Sequence, residues 1–219
     1  MIWRDKMKKR ILGFACCLWA GFAAWCGMTA YASTDDYTAF SEIMMNEGKV
    51  LANYTDEEMT KLLEKVHKRK FMGVSVYEEN KNVEASYISN TLYSVENSGE
   101  ENIVYDIVVD VETSNKVSFN ASGSLNASAS GGKSGGVKGE IGAKCGIEFT
   151  ETTTTSRKEK QTMKLTVEGG SRAIVYLTGN LSITNGVAAY YVAFIRVSEG
   201  GFEIVTLKNQ YARVEKSKI

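Results

Sequence analysis

Val117-Ser118-Phe119-Asn120-Ala121-Ser122-Gly123-Ser124-Leu125-Asn126-Ala127-Ser128-Ala129-Ser130 alternates apolar or small residues with polar ones. After Gly131-Gly132-Lys133-Ser134-Gly135-Gly136 the alternation resumes in Val137-Lys138-Gly139-Glu140-Ile141-Gly142-Ala143-Lys144-Cys145-Gly146-Ile147-Glu148-Phe149. Successive strand side chains point to opposite sides, so the pattern predicts a long antiparallel hairpin with one apolar and one wet face. Val117, Phe119, Ala121, Leu125, Ala127, Val137, Ile141, Ala143, Cys145, Ile147 and Phe149 form the apolar face. Ser118, Asn120, Ser122, Ser124, Asn126, Lys138, Glu140, Lys144 and Glu148 form the other. Each arm would reach roughly 40 Å at ~3.3 Å per residue, and a tilted strand crosses a bilayer in ~9–11 residues. Two settings suit such a hairpin. One puts the apolar face in lipid and the polar face in a water-filled barrel. The other lays it as a flap on a soluble sheet, where half-buried strands alternate in the same way. Ala121, Gly123, Ala127, Ala129, Gly139 and Ala143 thin the apolar face as a soluble core, and the arms exceed the usual ~5–6 residues, which favours the membrane.

The amino terminus reads as a targeting signal over residues 1–32. Arg4, Lys6, Lys8, Lys9 and Arg10 precede an apolar run at 11–24, and Ala30-Tyr31-Ala32 offers a small-x-small cleavage site before Ser33. Cleavage there would remove Cys16, Cys17 and Cys26, leaving Cys145 as the one thiol and no internal disulfide. It would also remove five basic residues and one acidic one from 26 of each, leaving about four net negative charges. That balance, with no basic stripe interleaved with aromatics, argues against nucleic-acid binding. The chain has no proline, an absence that long hydrogen-bonded ladders tolerate.

Residues 33–70 carry a helical period. Tyr37, Phe40, Ile43 and Met44 suggest a short helix that Gly48 ends. Thr55 with Glu58 makes a capping box ahead of Met59, Leu62, Leu63 and Val66 at i, i+3, i+4, i+7. Lys65, Lys68, Arg69 and Lys70 follow, either as a solvated helix end that the dipole favours or as a contact for anionic lipid. From residue 71 to 219 the period is two. Strands are expected near 71–79, 83–95, 102–114, 161–167, 172–178, 181–184, 187–197 and 202–207. Turns are expected at Gly169-Gly170, Asn185-Gly186 and Gly200-Gly201. The stretch 187–197 is apolar on both faces and reads as a central, doubly covered strand. The fold class is mainly β: an elongated antiparallel sheet or sandwich with a long amphipathic hairpin, after a short helical segment.

Little in the sequence supports catalysis. His67 stands alone at a basic helix end, without a second histidine or a cysteine pair for zinc. No Gly-x-Ser-x-Gly is present. Gly132-Lys133-Ser134 resembles the end of a phosphate loop, but Ala127 occupies the place of the first glycine. The expectation is a protein that is not an enzyme and takes no metal or organic cofactor.

Residues 94–207 resemble the aerolysin-like β-pore-forming proteins, the branch with epsilon toxin and the mosquitocidal toxins. Three segments carry the resemblance. Ser94-Val95-Glu96-Asn97-Ser98-Gly99-Glu100-Glu101 is similar to the Asn-containing turn that opens the family's long strands. The Ser/Asn-lined 117–149, bordered by Thr152-Thr153-Thr154-Thr155, resembles the insertion loop. Residues 164–177 are similar to a strand–turn–strand, with Glu168-Gly169-Gly170 where the family typically has Pro-Pro-Gly. The resemblance implies a secreted protein that meets membrane lipid or a cell-surface receptor, forms a homo-oligomer there and pools its hairpins into a barrel. The alternative is a secreted or cell-envelope β-sandwich binding module without pore formation.

Overall fold

The computed structural model describes residues 42–112, 116–130, 136–149 and 158–219. The expected signal segment lies outside the described residues. In chain order the elements are β1 (Glu42–Met45), a 3-10 turn (Leu51–Asn53), α1 (Asp56–Glu64), β2 (Met72–Ile88), β3 (Tyr93–Asn97) and β4 (Ile103–Glu112). There follow β5 (Val117–Ala121), α2 (Ser124–Ser130), α3 (Val137–Cys145), β6 (Lys158–Val167), β7 (Ser171–Val192) and β8 (Ile195–Lys218). The fold is mainly β and antiparallel, as the period-two sequence implies.

β7 and β8 pair along their whole length and form the spine of a six-stranded sheet ordered β1-β2-β7-β8-β5. β2 pairs with the later part of β7, from Thr178 to Val192, and β3 with its beginning, from Ser171 to Val175. β4 and β6 form a separate two-stranded ladder, whose Ile107, Val109, Leu165 and Val167 pack on Ala173 and Val175. Side chains alternate across a strand, and β7 uses both faces. Val187, Ala189 and Tyr191 meet Leu62 and Val66 from α1 and the residues after it. Ala188 meets Val74, Phe202 and Ile204, with Leu125 of α2 and Ile141 of α3 above them. The double cover expected over 187–197 holds only for 187–191; Val192 is 37% exposed, the chain reverses at Ala193-Phe194, and 195–197 are exposed at the start of β8.

α1 forms as its sequence dictates. The Thr55 amide donates to Glu58 Oε2 (3.0 Å) and the Glu58 amide to Thr55 Oγ1 (3.2 Å), closing the capping box. Leu62 and Val66 are buried while Met59 and Leu63 are partly so. Burying a leucine of this kind contributes about 2 kcal/mol.

Four further expectations are corrected by the structure. Residues 42–45, read as helix, are a strand paired to 85–88 of β2; Ile43 and Met45 alternate inward onto Tyr87, Leu181 and Val205. Asn185-Gly186 is no turn. Asn185 is wholly buried, its amide donating to Lys49 O (2.7 Å) and Glu203 Oε2 (3.0 Å), and a Cβ on Gly186 would collide with Tyr77 O. Gly200-Gly201 lies inside β8, because Ser122 O, Leu51 and Met59 come too close for side chains. The reversal falls instead at Ala193-Phe194, between β7 and β8. The fourth correction concerns 117–149.

Candidate functional site

Among the described residues of the expected hairpin, β5 is the one strand. It pairs with β8 from Val117↔Thr206 to Ala121↔Phe202. The chain then turns at Gly123 (φ +63), where a Cβ would sit 3.0 Å from Glu199 O, and continues as α2 and, after residues 131–135, as α3. The strand expectation over 124–130 and 137–145 does not hold in this structure, and the reason is arithmetic. Val137, Ile141 and Cys145 are four apart, so they share one side of a strand and also one side of a helix. Read as a helix, they turn together onto the sheet: Ile141 is 0%, Cys145 5% and Val137 7% exposed. The small residues between them suit either reading.

Val117, Phe119, Ala121 and Leu125 are also buried, and Ile147 and Phe149 pack against the same cluster. The Phe149 ring stands edge-on to Phe119 at 5.8 Å, with the Lys138 ammonium 4.8 Å from the Phe149 centroid. Ala143 departs from its apolar group and is exposed. The side chain of Ala127 is outside the described residues. On the polar side Ser124, Lys144 and Glu148 are exposed, and Asn120, Ser122, Asn126, Lys138 and Glu140 are intermediate. Ser118, expected at water, is 4% exposed, because β5 is covered on both faces.

Polar contacts hold the segment down. Ser124 Oγ donates to Glu199 O (3.0 Å) and accepts from the Glu199 amide (2.9 Å); Ser122 Oγ accepts from the Gly201 amide (3.0 Å). Glu140 Oε1 accepts from the Val74 amide (2.9 Å) and lies 3.5 Å from Lys70 Nζ. Burial pushes the Cys145 thiol up to about 12, with Glu78 adding to it. The Lys144 ammonium is held below the usual lysine range, first by the Lys70 ammonium beside it and then by burial.

Among the described residues no catalytic grouping forms around His67, which is exposed beside Lys68 and Arg69. Among the described residues no three His, Cys, Asp or Glu side chains gather as metal ligands. Among them, too, no helix is long and apolar enough to cross a membrane. Sequence reasoning missed one feature, an exposed aromatic pair, Phe71 and Phe194, whose rings meet edge-on at 5.5 Å. The Phe71-Met72 pair at the mouth of a strand was its only signal.

No protein-family model and no curated relative matches the sequence. Solved structures similar to the chain include a candidate pore-forming toxin from Bacteroides vulgatus, at 13% identity over 67% of this chain and 57% of that one, TM-score 0.30. The match thus spans just over half the length of the Bacteroides protein. They also include parasporin-2, a Bacillus thuringiensis toxin that recognises cancer cells, at 10% identity over 81% of this chain and all of that one, TM-score 0.24. A third is an aerolysin-like protein from Bombina maxima, at 16% identity over 68% of this chain and all of that one, TM-score 0.22.

Proposed function

We propose that this is a secreted, membrane-interacting protein that oligomerises on lipid and inserts 117–149 as a β-hairpin, with α2 and α3 as the stowed form of its arms. The observation that carries this is the double fit of the segment. Val137, Ile141 and Cys145 make a buried helical stripe in the present state, and the same residues fall on one face of an alternation that runs from 117 to 149 with one break at the glycine-rich 131–136. α3 also holds Gly139 and Gly142 in its interior, each costing a helix about 1 kcal/mol relative to alanine. A hairpin that leaves the sheet exposes an apolar face that lipid would cover. A single hairpin in lipid has two unpaired edges, each open group costing several kcal/mol, so closure requires several protomers. Catalysis has no place in this reading.

A second reading is favoured by one specific observation, the complete burial of Leu125 and Ile141 against Val74, Phe202 and Ile204. There α2 and α3 are a permanent cover on a β-sandwich binding module. Adjacent residues separate the two. Ala143 and Lys144 are both exposed in the present state, yet an inserted hairpin sends Ala143 to lipid and Lys144 to the lumen. With Cys145→Ser removing the native thiol, an environment-sensitive dye on Ala143→Cys should shift to the blue on vesicles and resist aqueous quenchers. The same dye on Lys144→Cys should stay quenchable. Equal responses, or none, would establish the permanent cover.

A further inference from the structure

β7 and β8 are joined by Ala193 and Phe194, at φ 50° and 63°. Both lie in the left-handed region that asparagine and glycine occupy in tight hairpins, and a bulky aromatic there is uncommon. The strain is accompanied by display. Phe194 is 59% exposed, its neighbour Ile195 66%, and Phe71 and Met72 63% each. The Phe194 amide donates to Phe71 O (3.4 Å), so the turn and the mouth of β2 form one tip. Scattered apolar residues on a surface are ordinary, whereas a contiguous cluster with a polar rim marks an interaction site.

The rim is basic. Lys68 and Arg69 are exposed immediately before Phe71 in the chain, and Lys144 of α3 sits by Lys70. Lys70 faces Glu140, and Arg196 faces Glu199 at 2.5 Å. Lys68, Arg69 and Lys144 make no ion pair with a carboxylate among the described residues. Lys70 and Lys68 crowd the Lys144 ammonium and, with burial, hold it below its usual range, against a partial counter-charge from Glu140.

We infer that the tip made by Phe71, Met72, Phe194 and Ile195, with its collar of Lys68 and Arg69, is a docking site for an anionic phospholipid surface. Aromatic and aliphatic side chains enter the acyl boundary while the lysines and arginines stay at the headgroups, and each cation near such a surface adds to the attraction. This deepens the membrane reading above and rests on it: the tip is where the protein first meets lipid, before any hairpin moves.

Flotation of the purified protein with phosphatidylcholine vesicles, with and without phosphatidylglycerol, tests it. Ala193→Asn with Phe194→Gly installs the sequence that this turn geometry prefers, so it should raise the melting temperature while lowering vesicle binding about tenfold. Lys68→Glu with Arg69→Glu should lower binding about tenfold to phosphatidylglycerol vesicles and leave binding to neutral ones unchanged. A turn variant that floats like the parent overturns the inference. So does a parent that self-associates without lipid and a turn variant that does not, for the tip would then be a contact between copies. Vesicle binding without dye release defeats the pore reading and leaves the docking site standing. Dye release untouched by the turn variant does the reverse.

Discussion

α1 and α3 cover opposite faces of the same strands, and each is nine residues long. α1 begins at a reciprocal capping box, carries Asp56, Glu57 and Glu58 in its first turn, and has no internal glycine. Acidic residues there complement the positive end of the helix dipole. α3 begins at Gly136 with no side-chain cap and contains two glycines. Its one strong terminal device is Gly146, left-handed at φ +73°, whose amide returns to the carbonyls at the helix end. The difference teaches where helicity comes from. α1 is helical because its own sequence says so. α3 is helical because Val137, Ile141 and Cys145 have a seat on the sheet and Glu140 has a backbone amide to hold.

The sharpest break in that comparison comes from truncating the seated residues. Leu62→Ala and Ile141→Ala should each lower stability by about 2–5 kcal/mol, read by denaturant unfolding. Only Ile141→Ala should also hasten dye release from vesicles, because it loosens the stowed arm. If Leu62→Ala hastens release equally, the effect is global softening and α3 has no special standing.

Alkaline unfolding comes next. The Cys145 thiol stands at about 12 in the folded protein and Tyr87 is likewise raised to about 12, by burial in both cases. The unfolded chain would release the cysteine proton near its ordinary ~8.5–9 while the folded one retains it. Stability is therefore complete below about pH 9 and is lost as pH rises through the folded value. The loss from the thiol should reach about 2–3 kcal/mol near pH 11. Cys145→Ser should remove the early part of that loss; an unchanged curve would mean that the thiol sees water. Smallest are the propensity changes. Thr55→Ala should destabilise by about 1 kcal/mol through the lost cap. Gly139→Ala should stabilise by up to about 1 kcal/mol and slow dye release, if the arm must leave its helix.

The elements legible in the sequence were those with a single reading. A capping box admits one interpretation, and so do the strand at Ile103–Glu112 and the turn at Gly169-Gly170, which appear where expected. Elsewhere the residue types were informative and their use was ambiguous. Asn185, Gly186, Gly200 and Gly201 look like turn chemistry, yet the sheet uses them for a buried amide and for close backbone approach. The true turn at Ala193-Phe194 has none of that chemistry, so no local rule finds it. At 117–149 the apolar positions were found, and most are buried here. The medium that covers them was not legible, since a spacing of four satisfies strand and helix alike.

Glu203 gives the opening segment a fixed role. Its side chain is wholly buried between strands and accepts from the Leu51 amide at 2.7 Å and from Asn185 at 3.0 Å. Lys49 O is tied to the same asparagine. A protease that cut ahead of α1 and released residues 49–51 would take the Leu51 amide from Glu203 and Lys49 O from Asn185, and a buried polar group that loses a partner costs about 1–3 kcal/mol. Maturation by trimming into this region would therefore destabilise the sheet at its buried polar pair, Asn185 and Glu203. Residues 49–51 behave as a keystone, and any processing site must lie upstream of them.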